Sequence, residues 1–378
     1  MSTSDLPRPT GAPLPTVGDG TGLAAEWPLH PEELGLALRN HALPLEALRY
    51  DVTPTGLHYT LVHYDIPAVD PDSWRLGVDG PRPLSLGLAN LQRRPTRTLR
   101  VTLECAGDGR ALLEPRPISQ PWLTGAVGTA EWTGTPLAGL LTEAGITADT
   151  SGVAEIVFTG LDRGIEGGVE QEYQRSLPLA AALDPDVLVA WAMNGSPLEP
   201  QHGAPVRLVV PGWYGMAHVK WLRAIAPTAE PFAGYQQAIA YRYSRTRAEP
   251  GTPVTRMRVR SLLIPPGIPD FLTRTRVVPR GPVTLEGRAW SGTGPISAVE
   301  VSTDDGAHWA PAALAPPLDP RGAAWQHWTY QWNAPTPGTY SLCCRAHDAG
   351  GAVQPIEPFW TARGMGNNAV QRVPVVVL

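Results

Sequence analysis

The stretch Leu99–Arg110, with the sequence LRVTLECAGDGR, is the part of the chain from which its fold is best deduced. Apolar Leu99, Val101 and Leu103 alternate with polar residues, which is the side-chain period of a β-strand. The predicted strand delivers Cys105 at its end, and the small residues that follow let the backbone approach another group closely. Two interpretations of this thiol stay open from the residues alone: a buried structural cysteine and a functional thiolate.

Strands and helices are interspersed on either side of this stretch. Residues 155–158 and 187–191 have the composition of strands, and 206–210 can return as a partner strand after a tight turn at Asn194-Gly195. Thr135 and the proline after it predict a helix over 136–144, with Thr135 as N-cap and a glycine closing it. Because no regular βαβ period appears, the pattern favours an α+β domain over a doubly wound sheet.

The last third of the chain has a different pattern, in which helical spacing disappears. Turn residues separate four predicted strands, at 283–290, 297–303, 325–332 and 339–347. Such short strands in about 110 residues are typical of an immunoglobulin-like sandwich. The N-terminal residues are rich in Pro, Gly, Ser and Thr. We therefore predict a flexible tail at 1–25, an α+β domain at 26–248 and an all-β domain at 249–378.

Composition excludes several classes of protein. The 378 residues include 39 Gly and 42 Pro and carry a net charge of −5. So much proline argues against a helical bundle, and the negative charge argues against a nucleic-acid partner. No run of about 18 apolar residues predicts a membrane span. The N-terminus has no recognisable export signal, so we expect a cytoplasmic protein, while export beside a signal-bearing partner leaves a periplasmic location open.

The common site motifs are absent. The sequence has no phosphate loop, dinucleotide-binding glycine motif, nucleophile elbow or paired-cysteine zinc or haem motif. Cys343 and Cys344 are adjacent on a predicted strand and are expected to be structural. His58 and His63 lie five residues apart on a predicted strand, which would put them on opposite faces. Common hydrolase and dehydrogenase assignments therefore fail.

A series of short motifs, by its order and spacing, resembles the sulfite oxidase family of molybdopterin enzymes over about residues 34–378. The motifs are RNH at 39–41, CAGxxR at 105–110, GAVG at 125–128, WTG at 132–134, MNG at 193–195, HGAPVR at 202–207, VPG at 210–212, HVKWL at 218–222, AWSG at 289–292, STDDG at 302–306 and WTARG at 360–364. The resemblance implies an α+β molybdopterin-binding domain followed by an all-β immunoglobulin-like sandwich that commonly forms a homodimer contact. It also implies Mo-molybdopterin as the cofactor.

The resemblance assigns Cys105 as the protein ligand of molybdenum. A thiolate is a soft, strongly donating ligand that suits a metal already held by a pterin dithiolene. The residues implied to bind the pterin and its phosphate are Asn40, His41, Asp162, His202, Arg207, His218, Val219 and Lys220. Lys220 is the only lysine among 30 cationic residues. Either this position needs a compact ammonium group that arginine cannot replace, or the lysine has been retained by chance.

The resemblance also gathers a catalytic pocket for a small oxyanion such as sulfite. Its implied members are Arg39, Arg110, Trp122, Tyr241 and Arg363, with Tyr235 and Tyr243 as competing positions for the tyrosine. Each arginine about 4 Å from the anion supplies roughly 4 kcal/mol of attraction at an effective dielectric constant near 20, before desolvation. Asp108 and Gly109 stand where the animal and plant enzymes carry a polar amide and a further arginine, so anion binding is expected to be weaker.

The predicted function is oxidation of sulfite to sulfate by oxygen-atom transfer. No haem motif is present, so electrons would pass to a separate acceptor such as a cytochrome. Two alternatives stay open: a reductase of nitrate or a sulfoxide at the same site, and a non-catalytic binding protein on the same scaffold. Both alternatives to sulfite oxidation are motivated by the altered pair Asp108 and Gly109.

Overall fold

The structure, a computed structural model, describes residues 30–378, so the predicted tail at 1–25 lies outside the described residues. Strands dominate it. They are β1 Leu76–Val78, β2 Leu84–Leu86, β3 Arg97–Glu104, β4 Val127–Pro136, β5 Glu155–Glu166, β6 Val169–Pro178, β7 Leu188–Met193, β8 Ser196–Pro197, β9 Arg207–Val209, β10 Leu222–Thr228, β11 Arg242–Tyr243, β12 Thr252–Pro253, β13 Arg260–Leu263, β14 Ile268–Pro269, β15 Arg276–Val278, β16 Gly281–Trp290, β17 Ile296–Ser302, β18 Ala310–Pro311, β19 Ala313–Leu314, β20 Gln326–Ala334, β21 Gly338–Asp348 and β22 Arg372–Val377.

The helices are short. The α-helices are α1 Pro31–Arg39, α2 Leu88–Gln92, α3 Leu137–Glu143 and α4 Leu179–Ala182. Single 3₁₀ turns occur at Leu45–Arg49, Thr55–Leu57, Arg110–Leu112, Pro200–His202 and Gly215–Ala217, and a π-helical turn spans Gln236–Ala240. No helix in the described part of the chain is both long and apolar enough to cross a membrane.

One mixed sheet and one antiparallel sheet build the first half of the molecule. One has the strand order β2-β1-β10-β5-β6, with β1 and β10 parallel. The other has the order β3-β4-β7-β8, and β9 pairs with β7. The sheets and α3 share an apolar core in which Leu140, Phe158 and Leu222 are fully buried. The edge of the second sheet matters for function because β3 ends at Glu104, immediately before Cys105.

Two further sheets build the second half. Their orders are β13-β16-β20-β19 and β14-β15-β22-β21-β17-β18, and the long pairs β16–β20 and β17–β21 are antiparallel. Alternate residues of these strands, among them Leu285, Trp328 and Leu342, face a common core. This is the two-layer packing of an immunoglobulin-like sandwich, and it confirms the predicted fold class.

The predicted elements of the first half are present with small shifts at their ends. The strands predicted at 155–158, 187–191 and 206–210 correspond to β5, β7 and β9. The helix predicted from residue 136 begins one residue later, because Pro136 still pairs with Leu188 at the end of β4. The division of the chain at 248 stays a prediction.

Candidate active site

Cys105 lies where two cavities of the molecule meet. Its backbone N–H donates to the carbonyl of Ala126 at 2.8 Å, which extends the β3–β4 pairing by one residue and fixes the thiol at the strand end. An inner cleft of about 620 Å³ and an outer cavity of about 1220 Å³, both volumes including open solvent, share Leu61, His63, Cys105 and Tyr241 as lining residues. The thiol is therefore accessible from both sides while it is only 6% exposed.

The environment of Cys105 disfavours a free thiolate. Burial raises the pKa of its thiol, and the positive charge of Arg110 and the N–H of Gly107 oppose that shift without reversing it. Cys105 forms no disulfide, and no group of three or more His, Cys, Asp or Glu side chains within residues 30–378 could hold a metal ion together. A cationic metal centre at the sulfur would stabilise the thiolate that burial disfavours.

The inner cleft contains buried polar atoms with no hydrogen-bond partner among the described residues. These atoms are Nε2 of His58, Oγ1 of Thr60, Oδ1 of Asp162 and Nε of Arg207. Buried polar atoms in folded proteins normally have a partner, so four in one cleft indicate a polar group that binds there. A pterin with its phosphate offers both donors and acceptors of the kind that these atoms need.

Lys220 reaches the same cleft from the segment before β10. Its ammonium donates to the carbonyls of Leu61 at 2.8 Å and Gln201 at 2.9 Å, which leaves one of its three protons free. The pKa of Lys220 is lowered to about 7, mainly by burial and also by the charge of Arg207, while the charge of Asp162 opposes both effects. An anion bound beside Lys220 would raise that pKa again.

Three predicted residues form the wall of the inner cleft opposite Lys220. Arg207 donates to the carbonyl of His202 at 2.9 Å and to that of His218 at 3.2 Å, and its guanidinium lies 4.7 Å from the ring centroid of Trp132. Both ring nitrogens of His218 are engaged, because Nδ1 accepts from the N–H of Val210 and Nε2 contacts the carbonyl of Trp213. His218 thus fixes the backbone that holds Arg207 rather than offering a free nitrogen.

Titratable groups in the inner cleft are shifted mainly by burial. It lowers the pKa values of His202 and His218 to about 3 and that of His58 to about 4, with the charge of Arg207 adding to each shift. Burial also raises the pKa of Asp162 to about 6, against the opposing charge of Lys220. The histidines are therefore neutral at physiological pH, and positive charge in this cleft comes from Arg207 and Lys220.

Arg110 is the central cation of the outer cavity. It is 4% exposed and donates through Nε to the carbonyl of Arg363, through Nη1 to that of Gln120, and through Nη2 to the sulfur of Met365. A guanidinium carries five N–H donors, so two remain for a ligand. Burial lowers the pKa of Arg110, but the group stays charged in any physiological range.

Tyr241 and His63 form the closest polar pair at the junction of the two cavities. The Tyr241 hydroxyl lies 2.6 Å from Nε2 of His63, and the Arg175 guanidinium lies 5.5 Å from the Tyr241 ring centroid. Burial lowers the pKa of His63 to about 3 and raises that of Tyr241. A neutral imidazole and a protonated phenol therefore share one short hydrogen bond at neutral pH.

The remaining walls of the outer cavity contain both apolar and polar residues, and one of the polar residues is Glu166. Trp122 is 4% exposed, and its indole N–H has no hydrogen-bond partner among the described residues. Arg363 is partly buried and adds a second cation near the Arg110 guanidinium, while Ile118 and Ile165 lie at the rim. Tyr235 also lines this cavity, whereas Tyr243 packs against Arg258 and Phe359 outside it. Of the competing tyrosines, Tyr241 alone lines both cavities.

Four predicted site residues are not among the residues that line either cavity. Arg39 is exposed and contacts the carbonyl of Tyr64 and the carboxylate of Asp65, and His41 is exposed and pairs with Thr60 through the backbone. The Asn40 amide is fully used, since it donates to the carbonyl of Leu36 and the side chain of Gln120 and accepts from the N–H of Val62. The side chain of Val219 packs in the apolar core.

His63 is the main residue that sequence reasoning missed. The segment was expected to be a strand with His58 and His63 on opposite faces, but only Thr60 makes a bridge there. Without a regular pleat, both histidines reach the inner cleft. Pro54 and Gly56, which interrupt a strand pattern just before His58, are the sequence signal that could have indicated this irregular segment. Arg175, which packs on Tyr241, had no local signal.

The altered pair at 108–109 has a structural reason. Gly109 has φ = 83°, and a Cβ there would lie 3.0 Å from Nδ2 of Asn367, so an arginine at this position would be strained. Asp108 faces away from the outer cavity: it accepts the N–H of Ala126 at 2.9 Å and lies 2.9 Å from Nη1 of Arg260. The carboxylate is thus paired behind the loop instead of repelling an anion in front of it.

Known families match both halves of the chain. Residues 63–236 match the model described as oxidoreductase molybdopterin binding domain, and residues 252–377 match the Mo-co oxidoreductase dimerisation domain. The first range contains Cys105 and most residues of the inner cleft, and the second contains the sandwich strands.

Curated relatives agree with the family models. The chain is 36% identical to sulfite oxidase of Gallus gallus over 85% of this chain and 72% of that protein. It is 36% identical to mitochondrial sulfite oxidase of Homo sapiens over 86% of this chain, spanning 62% of that protein. Nitrate reductase [NADPH] of Phytophthora infestans is 32% identical over 94% of this chain and 42% of its own length.

The fold is also that of a solved structure. The sulfane dehydrogenase SoxCD from Paracoccus pantotrophus superposes with a TM-score of 0.74 over 96% of this chain and 92% of that one, at 24% identity. The likeness extends through both halves of the chain, and at this identity it concerns the fold alone.

Proposed function

This chain belongs to the sulfite oxidase family of Mo-molybdopterin oxidoreductases, and we propose that it oxidises sulfite to sulfate. The reaction consumes one water and releases two protons and two electrons for each sulfite. When bound, the cofactor supplies two-electron oxygen-atom transfer. The protein's own residues would bind the cofactor, hold the anion and control protons around it.

The observation that carries this proposal is the position of Cys105 at the junction of the two cavities. A ligand for a pterin-held metal has to face the pterin on one side and the substrate on the other. Cys105 lines both the inner cleft and the outer cavity, which no other cysteine of the described chain does.

On the cofactor side, the proposed roles follow from the hydrogen-bond donors and acceptors of the inner cleft that have no partner among the described residues. Lys220, with one free proton, and Arg207, with an unpaired Nε, would bind the phosphate. The unpaired Oδ1 of Asp162 would accept a hydrogen bond from a pterin N–H. His202, neutral and held against His58 at a centroid distance of 5.7 Å, would complete the wall.

On the substrate side, Arg110 would bind the anion through the two N–H groups that the protein leaves free. Its three other donors hold the guanidinium in place, so little conformational entropy is lost when the anion binds. Arg363 would add long-range attraction, and Trp122 would exclude water from one side of the anion. This arrangement favours a small anion over a neutral molecule.

Tyr241 and His63 would control the proton nearest the junction. If Nε2 of His63 donates to the Tyr241 oxygen, the phenol proton is free to point at an oxygen of the substrate. Because His63 stays neutral down to about pH 3, it can keep this arrangement across the physiological range.

Further parts of the proposal concern partners and location. A separate one-electron acceptor such as a cytochrome would take the electrons, and the dimerisation domain suggests a homodimer. A cytoplasmic location stays a prediction, which cell fractionation would test.

A second candidate is nitrate reduction at the same site. Its support is the 32% identity with a nitrate reductase over 94% of the chain. Nitrate is also a small oxyanion, so Arg110 and Arg363 would bind it in the same way.

The deciding experiment compares steady-state turnover of the purified protein in two assays. One contains sulfite and ferricyanide, and the other contains nitrate and reduced viologen. The proposal predicts turnover in the first assay, with about one molybdenum bound per chain. Turnover in the second alone would replace sulfite oxidation by nitrate reduction, and a chain without molybdenum or turnover would support the non-catalytic alternative.

A further inference from the structure

The back of the loop that carries Cys105, residues 104–110, is built by the second half of the molecule. Arg260 in β13 places Nη1 2.7 Å from Oε1 of Glu104 and 2.9 Å from Oδ2 of Asp108. Trp290, the last residue of β16, donates its indole N–H to the other oxygen of Glu104 at 2.8 Å. Cys105 therefore lies in the sequence between two acids, Glu104 and Asp108, whose carboxylates both contact Nη1 of Arg260 in the immunoglobulin-like half.

Further contacts of this loop also come from the second half. The N–H of Gly366 donates to the carbonyl of Ala106 at 2.6 Å, and Nδ2 of Asn367 donates to that of Gly109 at 2.8 Å. Arg110 donates to the carbonyl of Arg363, as described above. Five groups from Glu104 to Arg110, namely two carboxylates, two carbonyls and one guanidinium, thus contact residues beyond 259.

The ion cluster is sealed from water. The side chains of Glu104, Asp108 and Arg260 are no more than 2% exposed, and two acids share one guanidinium. Without Arg260 the two buried acids would lose their shared counter-charge in a medium that screens poorly. The two acids have no other cation within salt-bridge distance among the described residues.

We propose that Arg260 is a positioning residue that clamps the Cys105 loop, so that the immunoglobulin-like half completes the active site in addition to any role in dimerisation. The proposal rests on the proposed role of Cys105 as the metal ligand. Both ion contacts use the same nitrogen, and Nε of Arg260 has no partner among the described residues, so a lysine ammonium placed there can replace the guanidinium.

The chain offers a matched control in Arg288. This arginine is also 2% exposed, lies on β16 and crosses between the two halves, where it contacts the carbonyls of Leu48 and Arg49 and the carboxylate of Asp51. Arg288→Met therefore removes a buried interdomain arginine without touching the Cys105 loop, and it reports the general cost of loosening the interface.

The experiment measures amide hydrogen exchange of the full chain as purified, together with molybdenum content and the electron paramagnetic resonance signal of the metal. In Arg260→Met, exchange within 104–110 accelerates about tenfold or more and the resonance signal changes, because the loop opens locally. Arg260→Lys restores both properties. Arg288→Met leaves both as in the wild type, even if its overall stability falls.

Equal acceleration in Arg260→Met and Arg288→Met overturns the proposal, as does unchanged exchange in Arg260→Met or failure of Arg260→Lys to restore it. Should Arg260→Met not fold, Asp108→Asn accelerates exchange at 108–110 while Asp51→Asn, the matched change beneath Arg288, does not. A wild-type chain that binds no molybdenum contradicts the proposed function, whereas the exchange comparison still decides whether Arg260 clamps the loop.

Discussion

The inner cleft and the outer cavity share Cys105 but are built on different principles. The inner cleft is lined by residues of the first half only, and its polar groups are held by backbone carbonyls, as those of Arg207 and Lys220 are. The outer cavity draws residues from both halves, among them Arg110, Arg363 and Met365. Its exposed lining residues include apolar Ile118 and Ile165 and cationic Arg247.

The difference separates what binds a cofactor from what selects a substrate. Unpaired buried atoms in the inner cleft match one kind of polar ligand, so substitutions there should affect cofactor content. The outer cavity has free donors only on a few side chains, so substitutions there should affect turnover of a protein that still carries its metal. Each prediction below tests whether effects divide in this way.

Cys105→Ala should have the largest effect, because it removes the one cysteine among the described residues that lines both cavities. Turnover with sulfite should be abolished while the fold survives, since a buried cysteine acts otherwise as a small apolar side chain and its loss costs about 1 kcal/mol. Activity and thermal unfolding of the variant are the measurements. Full sulfite oxidation by this variant would refute the ligand role of Cys105.

Arg110→Met should lower kcat/KM for sulfite by about 10²–10³-fold, the loss usual for a preorganised donor to a reacting anion. Molybdenum content should stay near that of the wild type, because Arg110 does not line the inner cleft. Arg247→Met is the control: Arg247 lines the same cavity but is exposed, so its loss should cost tenfold at most. Equal effects of the two changes would argue against a specific role for Arg110.

The sequence predicted residues that line each of the two cavities, and the residues that it misplaced have a physical reason. Arg207 and Lys220 belong to short motifs whose local backbone positions them, so the motif was sufficient. Arg39 and His41 also belong to a motif, yet they are exposed, and His63 lines both cavities instead. The placement of His63 depends on an irregular segment that a strand pattern did not predict.

The same limit applies to the back of the Cys105 loop. The loss of an arginine at the altered pair 108–109 was expected to weaken anion binding. The pairing of Asp108 with Arg260 was not predicted, because Arg260 lies more than 150 residues away in the other half of the chain. Local patterns identify strands and turns, whereas a buried ion cluster between halves depends on how the halves pack. The fold class was predictable from periodicity and family resemblance, but the pairing across the interface was not.

Lys220 should give cofactor retention a pH dependence. Its pKa is about 7 in the structure, so the ammonium that attracts a phosphate predominates below pH 7 and is lost above it. Bound anion raises this pKa, so binding takes up a proton above pH 7 and affinity falls by up to about tenfold per pH unit. Molybdenum content after dialysis at pH 6 to 9 measures this. Lys220→Met should retain less cofactor at every pH and should show no fall in molybdenum content above pH 7. If the variant still shows that fall, a group other than Lys220 causes it.

Tyr241→Phe should produce the smallest effect and test the junction itself. The change removes the hydroxyl 2.6 Å from Nε2 of His63 but keeps the ring that packs near Arg175. The free energy of unfolding should change by about 1 kcal/mol, the usual net value of one hydrogen bond. If the phenol proton is directed at the substrate, kcat should fall by about tenfold or more with molybdenum content unchanged. His63→Phe, which removes the partner but keeps the Tyr241 hydroxyl, should lower kcat less. Loss of molybdenum in Tyr241→Phe would instead show that the Tyr241 hydroxyl helps to bind the cofactor. Tyr241 would then belong functionally to the inner cleft and not to the substrate side.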